Sequence, residues 1–137
     1  MVLGLIRIRQ AILAELSAQA RLEPELECCG LLGGREGVIT RIFPAANALS
    51  SASAYEIAAK DLFRLIRAIR AEGLDQMGIY HSHPDGKNEP SARDIEQAYY
   101  PDAAYFILSP HAWALKPVRA FSIRESRVTE IEIQVVE

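Results

Sequence analysis

The chain has 137 residues, of which 50% are hydrophobic and 24% are charged, and its formal net charge is −3 at pH 7. A chain of this length can bury enough surface for one core, so we expect a single domain over residues 1–137. The weak net charge argues against a nucleic acid or an anionic membrane surface as the main partner. No apolar run approaches the ~20 residues that a membrane span requires.

The two cysteines, Cys28 and Cys29, are neighbours in the sequence. Adjacent cysteines do not staple a fold in the ordinary way, so nothing calls for an oxidising compartment and we expect the protein in the cytoplasm. Arg7 and Arg9, with the apolar residues behind them, imitate a secretion signal. Glu15 interrupts the apolar region that such a signal needs, so we expect no signal of this kind.

Alternating or continuous apolar runs predict the strands of the chain. The first strand is expected at a sheet edge, and two pairs of strands are expected to form hairpins, because glycine-rich or polar turns separate them. The predicted strands are residues 3–8 (the edge strand), 28–34 and 38–44 (a hairpin), 55–57, 77–80, 104–108, and 118–124 with 128–136 (a hairpin).

Three segments have the apolar spacing of helices, namely residues 9–19, 59–72 and 92–99. Proline or glycine follows each of them and bars continuation. Strands and helices are therefore mixed without strict alternation. This order predicts an α+β domain with a mixed, mostly antiparallel sheet and flanking helices.

Residues 79–94 concentrate the reactive side chains of the chain. Two of the three histidines, His81 and His83, follow directly on an apolar strand. Alternate residues of a strand point to the same face, so the two imidazoles are expected to project together. Prolines and a glycine then force a loop, after which Ser91 and Asp94 have the spacing of a helix start.

Two imidazoles and one carboxylate are the three protein ligands typical of a catalytic zinc, whose fourth position stays open for water. Zinc also suits imidazole-rich sites better than magnesium or calcium, which prefer oxygen ligands. The spacing leaves a second interpretation open. In it, Ser91 and Asp94 form a capping box, and the two histidines are hydrogen-bonded residues at a strand end.

A metal-activated water needs a proton acceptor, and Glu27 is the candidate. It precedes the apolar run of residues 28–32, where a carboxylate without a partner or a task is costly. Taken alone, its position favours a surface residue at a strand end, because two other glutamates lie just before it. Cys28 and Cys29 have no paired base in view and fit small hydrophobic strand residues better than nucleophiles.

The segment 81–84, His-Ser-His-Pro, followed after six residues by the segment 91–94, Ser-Ala-Arg-Asp, resembles the signature of the JAMM (MPN-plus, Mov34/PAD-1) metalloproteases. The segment 27–30, Glu-Cys-Cys-Gly, is similar to the setting of that family's upstream glutamate. The resemblance implies a single MPN-type domain. It also implies, by position, zinc ligation by His81, His83 and Asp94, general acid and base work by Glu27, and a hydroxyl donor role for Ser91.

The resemblance extends along nearly the whole chain to the small bacterial members of that family. Those relatives act on ubiquitin-like sulfur-carrier proteins that end in Gly-Gly. The resemblance therefore implies a zinc-dependent hydrolase that cuts the amide bond after the Gly-Gly of such a carrier. Two other functions stay open, namely a peptidase acting on cell-wall or phage-tail peptides, and an interaction scaffold that has no metal.

Overall fold

The computed structural model describes residues 4–111 and 113–137, which form seven strands and three helices. The strands are β1 (Leu5–Arg9), β2 (Cys29–Arg35), β3 (Val38–Ala45), β4 (Asp75–Ser82), β5 (Ala104–Leu108), β6 (Val118–Arg124) and β7 (Arg127–Val136). The helices are α1 (Gln10–Leu22), α2 (Ala59–Ala71) and α3 (Ala92–Glu96). Within this described part of the chain, none of the helices has the length and apolar character that crossing a membrane requires.

The seven strands form one closed sheet in the order β1-β3-β2-β4-β5-β6-β7, and β7 pairs back onto β1. The pairs β2–β3, β2–β4, β5–β6 and β6–β7 are antiparallel, whereas β1–β3, β1–β7 and β4–β5 are parallel. This confirms the mixed, mostly antiparallel sheet. The prediction of an edge strand at residues 3–8 is wrong, because β1 lies between two strands; residue 3 itself lies outside the described residues.

Two apolar cores cover the two faces of the sheet. Helix α1 packs on one face through Ile12, Leu16 and Ala20, and α2 packs on the other through Leu65 and Ile69. Burial of each large aliphatic side chain of this kind contributes about 1.5–3 kcal/mol. Strand β5 is buried along its whole length, because its alternate side chains enter both cores.

The strand predicted at residues 55–57 is not formed. These residues belong to the loop between β3 and α2. The backbone amide of Glu56, which a strand would use for pairing, donates instead to the side chain of Asn47. A local side chain can therefore outcompete a sheet neighbour for the backbone.

The helix predicted at residues 92–99 is also shorter than expected, since α3 ends at Glu96. The chain turns after it, and the amide of Tyr100 donates to the hydroxyl of Tyr105 in β5. Helix α1, in contrast, runs three residues further than predicted, to Leu22. The other predicted elements agree with the structure to within two residues at each end.

Candidate metal centre

The two histidines of the central motif lie at the end of β4. His81 pairs with Cys29 of β2 and with Ile107 of β5, and His83 follows one residue after the strand ends. The amide of His83 still donates to the carbonyl of Leu108 at 2.9 Å, so the sheet pairing continues as far as His83, where a turn begins. Their Nε2 atoms lie 3.1 Å apart, which confirms that the two side chains project together.

Asp94 approaches the histidines from the first turn of α3. Its Oδ2 lies 3.1 Å from Nε2 of His81 and 3.0 Å from Nε2 of His83. The same oxygen accepts a hydrogen bond of 2.9 Å from the amide of Ser91, while Ser91 Oγ accepts one of 3.1 Å from the amide of Asp94. The capping box of the second interpretation is thus formed, and it holds the Asp94 carboxylate over the histidines.

The ring of His83 is oriented by a backbone carbonyl. Its Nδ1 donates to the carbonyl of Lys87 at 2.6 Å, which leaves the Nε2 of a neutral His83 as an acceptor. Three acceptor atoms, from His81, His83 and Asp94, then meet within 3.1 Å of one another. Acceptors this close need a proton or a cation between them, so the arrangement suits a metal ion.

Glu27 lies two residues before β2 and faces the histidines. Its carboxylate and the ligand atoms of His81 and His83 all lie within 4.8 Å of one another. Glu27 is only 4% exposed, so it is not the surface residue that its position alone favours. Glu27 Oε1 and His81 Nδ1 are buried without a hydrogen-bond partner in residues 4–111 and 113–137. Buried polar atoms are almost always paired, so the unpaired Oε1 of Glu27, which lies beside the histidines, also fits a site that binds a further group.

Burial and these contacts set the charges of the site. Burial, opposed by His83 and reinforced by Asp94, raises the pKa of Glu27 to about 7. Burial also lowers the pKa of His81, which favours the neutral imidazole. Burial works against ionisation of Asp94, but hydrogen bonds with His81 and His83 outweigh it and hold the pKa of Asp94 well below its usual range. The site thus joins one ionised carboxylate to one that exchanges its proton near neutral pH.

Ser91 completes the set of residues predicted from the sequence. It borders the same cleft as Glu27 and His83. Its Oγ accepts from the amide of Asp94, and the hydroxyl hydrogen remains able to donate to another group. Glu27, His81, His83, Ser91 and Asp94 are therefore brought together at one end of β4.

Two clefts flank this group of residues. One has a volume of about 430 Å³ and is lined by both polar residues, among them Glu27, His83 and Ser91, and apolar residues, among them Ala52 and Pro84. The other has a volume of about 190 Å³ and mostly apolar walls that include Leu31, Tyr55, Leu62, Ile79 and Tyr105, with Asp94 at its border. Residues of the candidate metal centre therefore border two clefts, Glu27, His83 and Ser91 one of them and Asp94 the other.

The sequence analysis missed two residues that support the histidines. The ring of Tyr55 stacks on the ring of His81, with centroids 4.4 Å apart and planes inclined by 20°. His111 donates through Nε2 to the carbonyl of Pro84 at 2.7 Å and so contacts the loop after His83. Both contacts join segments more than 25 residues apart, and no short-range spacing signals them.

Comparison with known proteins decides the family. The family described as prokaryotic homologs of the JAB domain matches residues 9–124. The chain belongs to this family. It is similar to the desampylase of Haloferax volcanii, with 34% identity over 124 residues that cover 84% of this chain and 89% of the relative. It is also similar to the CysO-cysteine peptidase of Mycobacterium tuberculosis, with 32% identity over 132 residues that cover 95% of this chain and 90% of the relative.

Solved structures confirm the JAB-type fold. A protein of Desulfitobacterium hafniense superposes with a TM-score of 0.86 at 32% identity, covering 97% of this chain and 94% of that protein. A JAB1/MPN domain protein of Archaeoglobus fulgidus superposes with a TM-score of 0.66 at 17% identity, covering 96% of this chain and 97% of its own. The second likeness concerns the fold alone. The assignment to the JAMM class, made from segments 27–30, 81–84 and 91–94, is confirmed.

Proposed function

We propose that this JAB-family protein is a zinc-dependent peptidase that hydrolyses the amide bond after the C-terminal Gly-Gly of a ubiquitin-like sulfur-carrier protein. The observation that carries the proposal is the convergence of His81, His83 and Asp94 within 3.1 Å of one another, beside the buried carboxyl group of Glu27. An interaction scaffold has no need for such a costly group of buried polar side chains.

Zinc is the ion that suits this set of side chains best. Two neutral imidazoles and one carboxylate are typical of catalytic zinc, whereas magnesium and calcium prefer oxygen ligands. Tetrahedral zinc with bonds of about 2.0–2.1 Å separates its ligand atoms by about 3.3–3.4 Å. That is a few tenths of an ångström wider than the 3.0–3.1 Å found between His81, His83 and Asp94. We assign these three residues as the ligands, with the Lys87 carbonyl orienting His83 from behind.

When bound, zinc lowers the pKa of a water ligand towards ~7 and polarises the scissile carbonyl. Glu27, whose carboxyl group lies within 4.8 Å of the ligand atoms of the histidines, accepts the proton of the attacking water and returns it to the leaving amine. The Ser91 hydroxyl donates to the developing oxyanion. No covalent enzyme intermediate is required, and burial raises the pKa of Cys28 and of Cys29, which keeps both thiols protonated.

The substrate assignment rests on the relatives and on steric reach. Two similar proteins are named a desampylase and a CysO-cysteine peptidase, and the small bacterial proteins that the motif resembles act on carriers ending in Gly-Gly. Glycine has no Cβ, so an extended tail of two glycines can bring its backbone close to the recessed histidines. The free, buried thiols of Cys28 and Cys29 fit a reducing compartment such as the cytoplasm.

Metal analysis combined with a hydrolysis assay tests the proposal. The wild-type protein should bind about one zinc per chain and release an amino acid attached to the terminal glycine of a carrier. The double variant His81→Ala, His83→Ala should lose the zinc. Glu27→Gln should keep it but lose at least about 10² in kcat, because an amide cannot accept the proton of water. Ser91→Ala should be slower by about 10²–10³ without being inactive.

Three results would contradict parts of this assignment. Unchanged zinc content in a folded double histidine variant would exclude His81 and His83 as ligands. Near-native turnover by zinc-loaded Glu27→Gln would leave Glu27 without a role in proton transfer. Cleavage of a cell-wall peptide, with no cleavage of any Gly-Gly carrier, would favour the other class of peptidase.

A further inference from the structure

The proposed general base, Glu27, lies outside the sheet, because β2 begins only at Cys29. Its backbone is held by residues 46–58, which we call the Asn47 loop. The amide of Glu27 donates to the carbonyl of Ser51 at 2.9 Å, and the carbonyl of Glu27 accepts from Asn47 Nδ2 at 3.0 Å. Since Glu27 Oε1 has no partner among the described residues, the direction of the carboxyl group depends strongly on this backbone.

Asn47 uses all of its hydrogen-bonding capacity in this loop. Its Nδ2 donates both to the carbonyl of Glu27 and to that of Ala54, each at 3.0 Å. Its Oδ1 accepts from the amide of Leu49 at 3.0 Å and from the amide of Glu56 at 3.2 Å. Two donors and two acceptor positions are the full complement of an Asn side chain. One side chain therefore ties both ends of the loop to each other and to Glu27.

The Asn47 loop also reaches one of the proposed metal ligands. Tyr55 lies between Ala54 and Glu56, both of which bond to Asn47, and its ring stacks on His81. The ring is held there by the loop and not by a strand, since residues 55–57 pair with no strand. The hydrogen bonds of Asn47 therefore hold the backbone of Glu27, the proposed base. They also hold the loop whose Tyr55 ring covers one face of His81, a proposed ligand.

We propose that Asn47 is a positioning residue, which aims the Glu27 carboxyl group at the metal centre and keeps the Tyr55 ring on His81. This proposal rests on the role given to Glu27 under the proposed function. An Asn that only closed its own loop would make all four bonds within that loop. One bond of Asn47 instead leaves the loop and ends on the carbonyl of Glu27. A misplacement of about 1 Å at a reacting group costs about 10²-fold in rate, so this one bond is sufficient to affect turnover.

The test compares Asn47→Asp with Ile12→Val. Asn47→Asp keeps the size and one acceptor oxygen but replaces the donor that faces the carbonyls of Glu27 and Ala54. Ile12→Val removes one buried methylene from the α1 core and serves as a control of lowered stability with an intact site. At a temperature where both are folded, we expect Asn47→Asp to lose about 10–100-fold in kcat, with KM within about threefold and zinc content unchanged. The control should keep its kcat.

Amide hydrogen exchange provides a second measurement that needs no substrate. In the wild-type protein, the amides of Glu27, Leu49 and Glu56 should be protected together. In Asn47→Ala they should lose protection together, while the amide of Leu31 in β2 keeps it. Rapid exchange of Leu49 and Glu56 in the wild-type protein would overturn the proposal even if the variants failed to fold.

Two kinetic results would also overturn the proposal. If zinc-loaded Asn47→Asp were less stable but kept the kcat of wild type, Asn47 would have only a structural role. If only KM changed, Asn47 would be a residue that contacts the substrate. If the wild-type protein cleaved no carrier at all, the proposed function would fail, and the exchange measurements alone would decide the role of Asn47. The two failures are therefore distinguishable.

Discussion

Glu27 and Asp94 are two carboxyl groups of one site whose pKa values are moved in opposite directions. Asp94 is held ionised by its hydrogen bonds with His81 and His83, against the effect of burial. Glu27 has no such partner for Oε1, so burial dominates and raises its pKa to about 7. Carboxyl groups whose pKa values are pushed apart commonly take different roles, one staying charged and the other transferring protons. The two environments are therefore consistent with the proposed roles, metal binding for Asp94 and proton transfer for Glu27.

The raised pKa of Glu27 predicts how the stability of the metal-free protein depends on pH. The ordinary pKa of a glutamate carboxyl group is 4.5, and that of Glu27 in the folded protein is about 7. Between these pH values the folded protein therefore binds more protons than the unfolded chain. The stabilisation is complete below about pH 4.5 and is lost as pH rises through 7. From pH 6 to 8, the free energy of unfolding of wild type should therefore fall relative to that of Glu27→Gln, as measured by urea unfolding with a chelator present.

The comparison with Glu27→Gln is chosen because His83 also titrates in both proteins. Burial lowers the pKa of His83, but hydrogen bonds to Asp94 and to the Lys87 carbonyl, together with the charge of Glu27, outweigh it and raise this pKa, so the difference measures the Glu27 carboxyl group together with its interaction with His83. Glu132→Gln, at an exposed position of β7, serves as a control for the removal of a carboxyl group outside the site. If the difference in free energy of unfolding between wild type and Glu27→Gln stayed constant from pH 6 to 8, the raised pKa of Glu27 would be contradicted.

At the level of elements, β2 carries the close packing that brings Glu27 beside the histidines. β2 lies between β3 and β4, and Gly30 pairs with Pro44 on one side and Tyr80 on the other. A Cβ atom on Gly30 would lie 2.5 Å from the carbonyl oxygen of Phe43 and 2.5 Å from the ring of Tyr80. Tyr80 directly precedes His81, so the glycine of segment 27–30 permits the close approach of β2 to β4, the strand that carries His81.

We expect Gly30→Ala to lower the free energy of unfolding by about 1–3 kcal/mol, because the added methyl group overpacks a tight contact. Urea unfolding of the zinc-loaded protein measures this change. Gly4→Ala is the matched control, since a Cβ there has nothing within 4 Å and should have little effect. Equal stability of the two variants would show that β2 and β4 separate at no cost.

The sequence pattern predicted most of the helices and strands, because the spacing of apolar residues and the positions of turn residues are local properties of the chain. The helical stripe of α2 and the His81–His83 pair both follow from spacing alone. Residues 55–57 have a strand-like composition, yet Asn47 captures the amide of Glu56, and that bond depends on how the loop closes. The end of α3 likewise depends on Tyr105, a residue of another element. Errors thus occur where a distant partner decides the backbone.

At the level of the whole molecule, strand order assembles the site. Glu27 stands 54 residues before His81, and the two meet because β2 pairs with β4. No periodicity encodes that pairing, so the residues alone left Glu27 as a surface candidate, and only the motif resemblance joined it to the histidines. The closure of the sheet by β1 and β7 could not be predicted from the sequence either, since their parallel pairing joins strands that are far apart along the chain.

The position of the site between two clefts leads to a prediction about the substrate. The tail of a carrier must reach the histidines in extended form, and the site offers it two clefts, one bordered by Glu27 and the other by Asp94. We expect a carrier with an amino acid on its terminal glycine to be cleaved after Gly-Gly. Replacing that glycine with Val should lower kcat/KM by about 10²-fold or more, because a branched side chain keeps the backbone away from the buried histidines.

The comparison needs the folded carrier, because binding energy from its body and tail together positions the scissile bond. A short peptide with the same Gly-Gly ending should therefore be cut poorly, and an Ala variant of the carrier should fall between Gly and Val if the obstacle is steric. Equal rates for Gly, Ala and Val would mean that the backbone does not approach the histidines closely. The Gly-Gly assignment would then lose its physical basis, even though the residues of the metal centre remained in place.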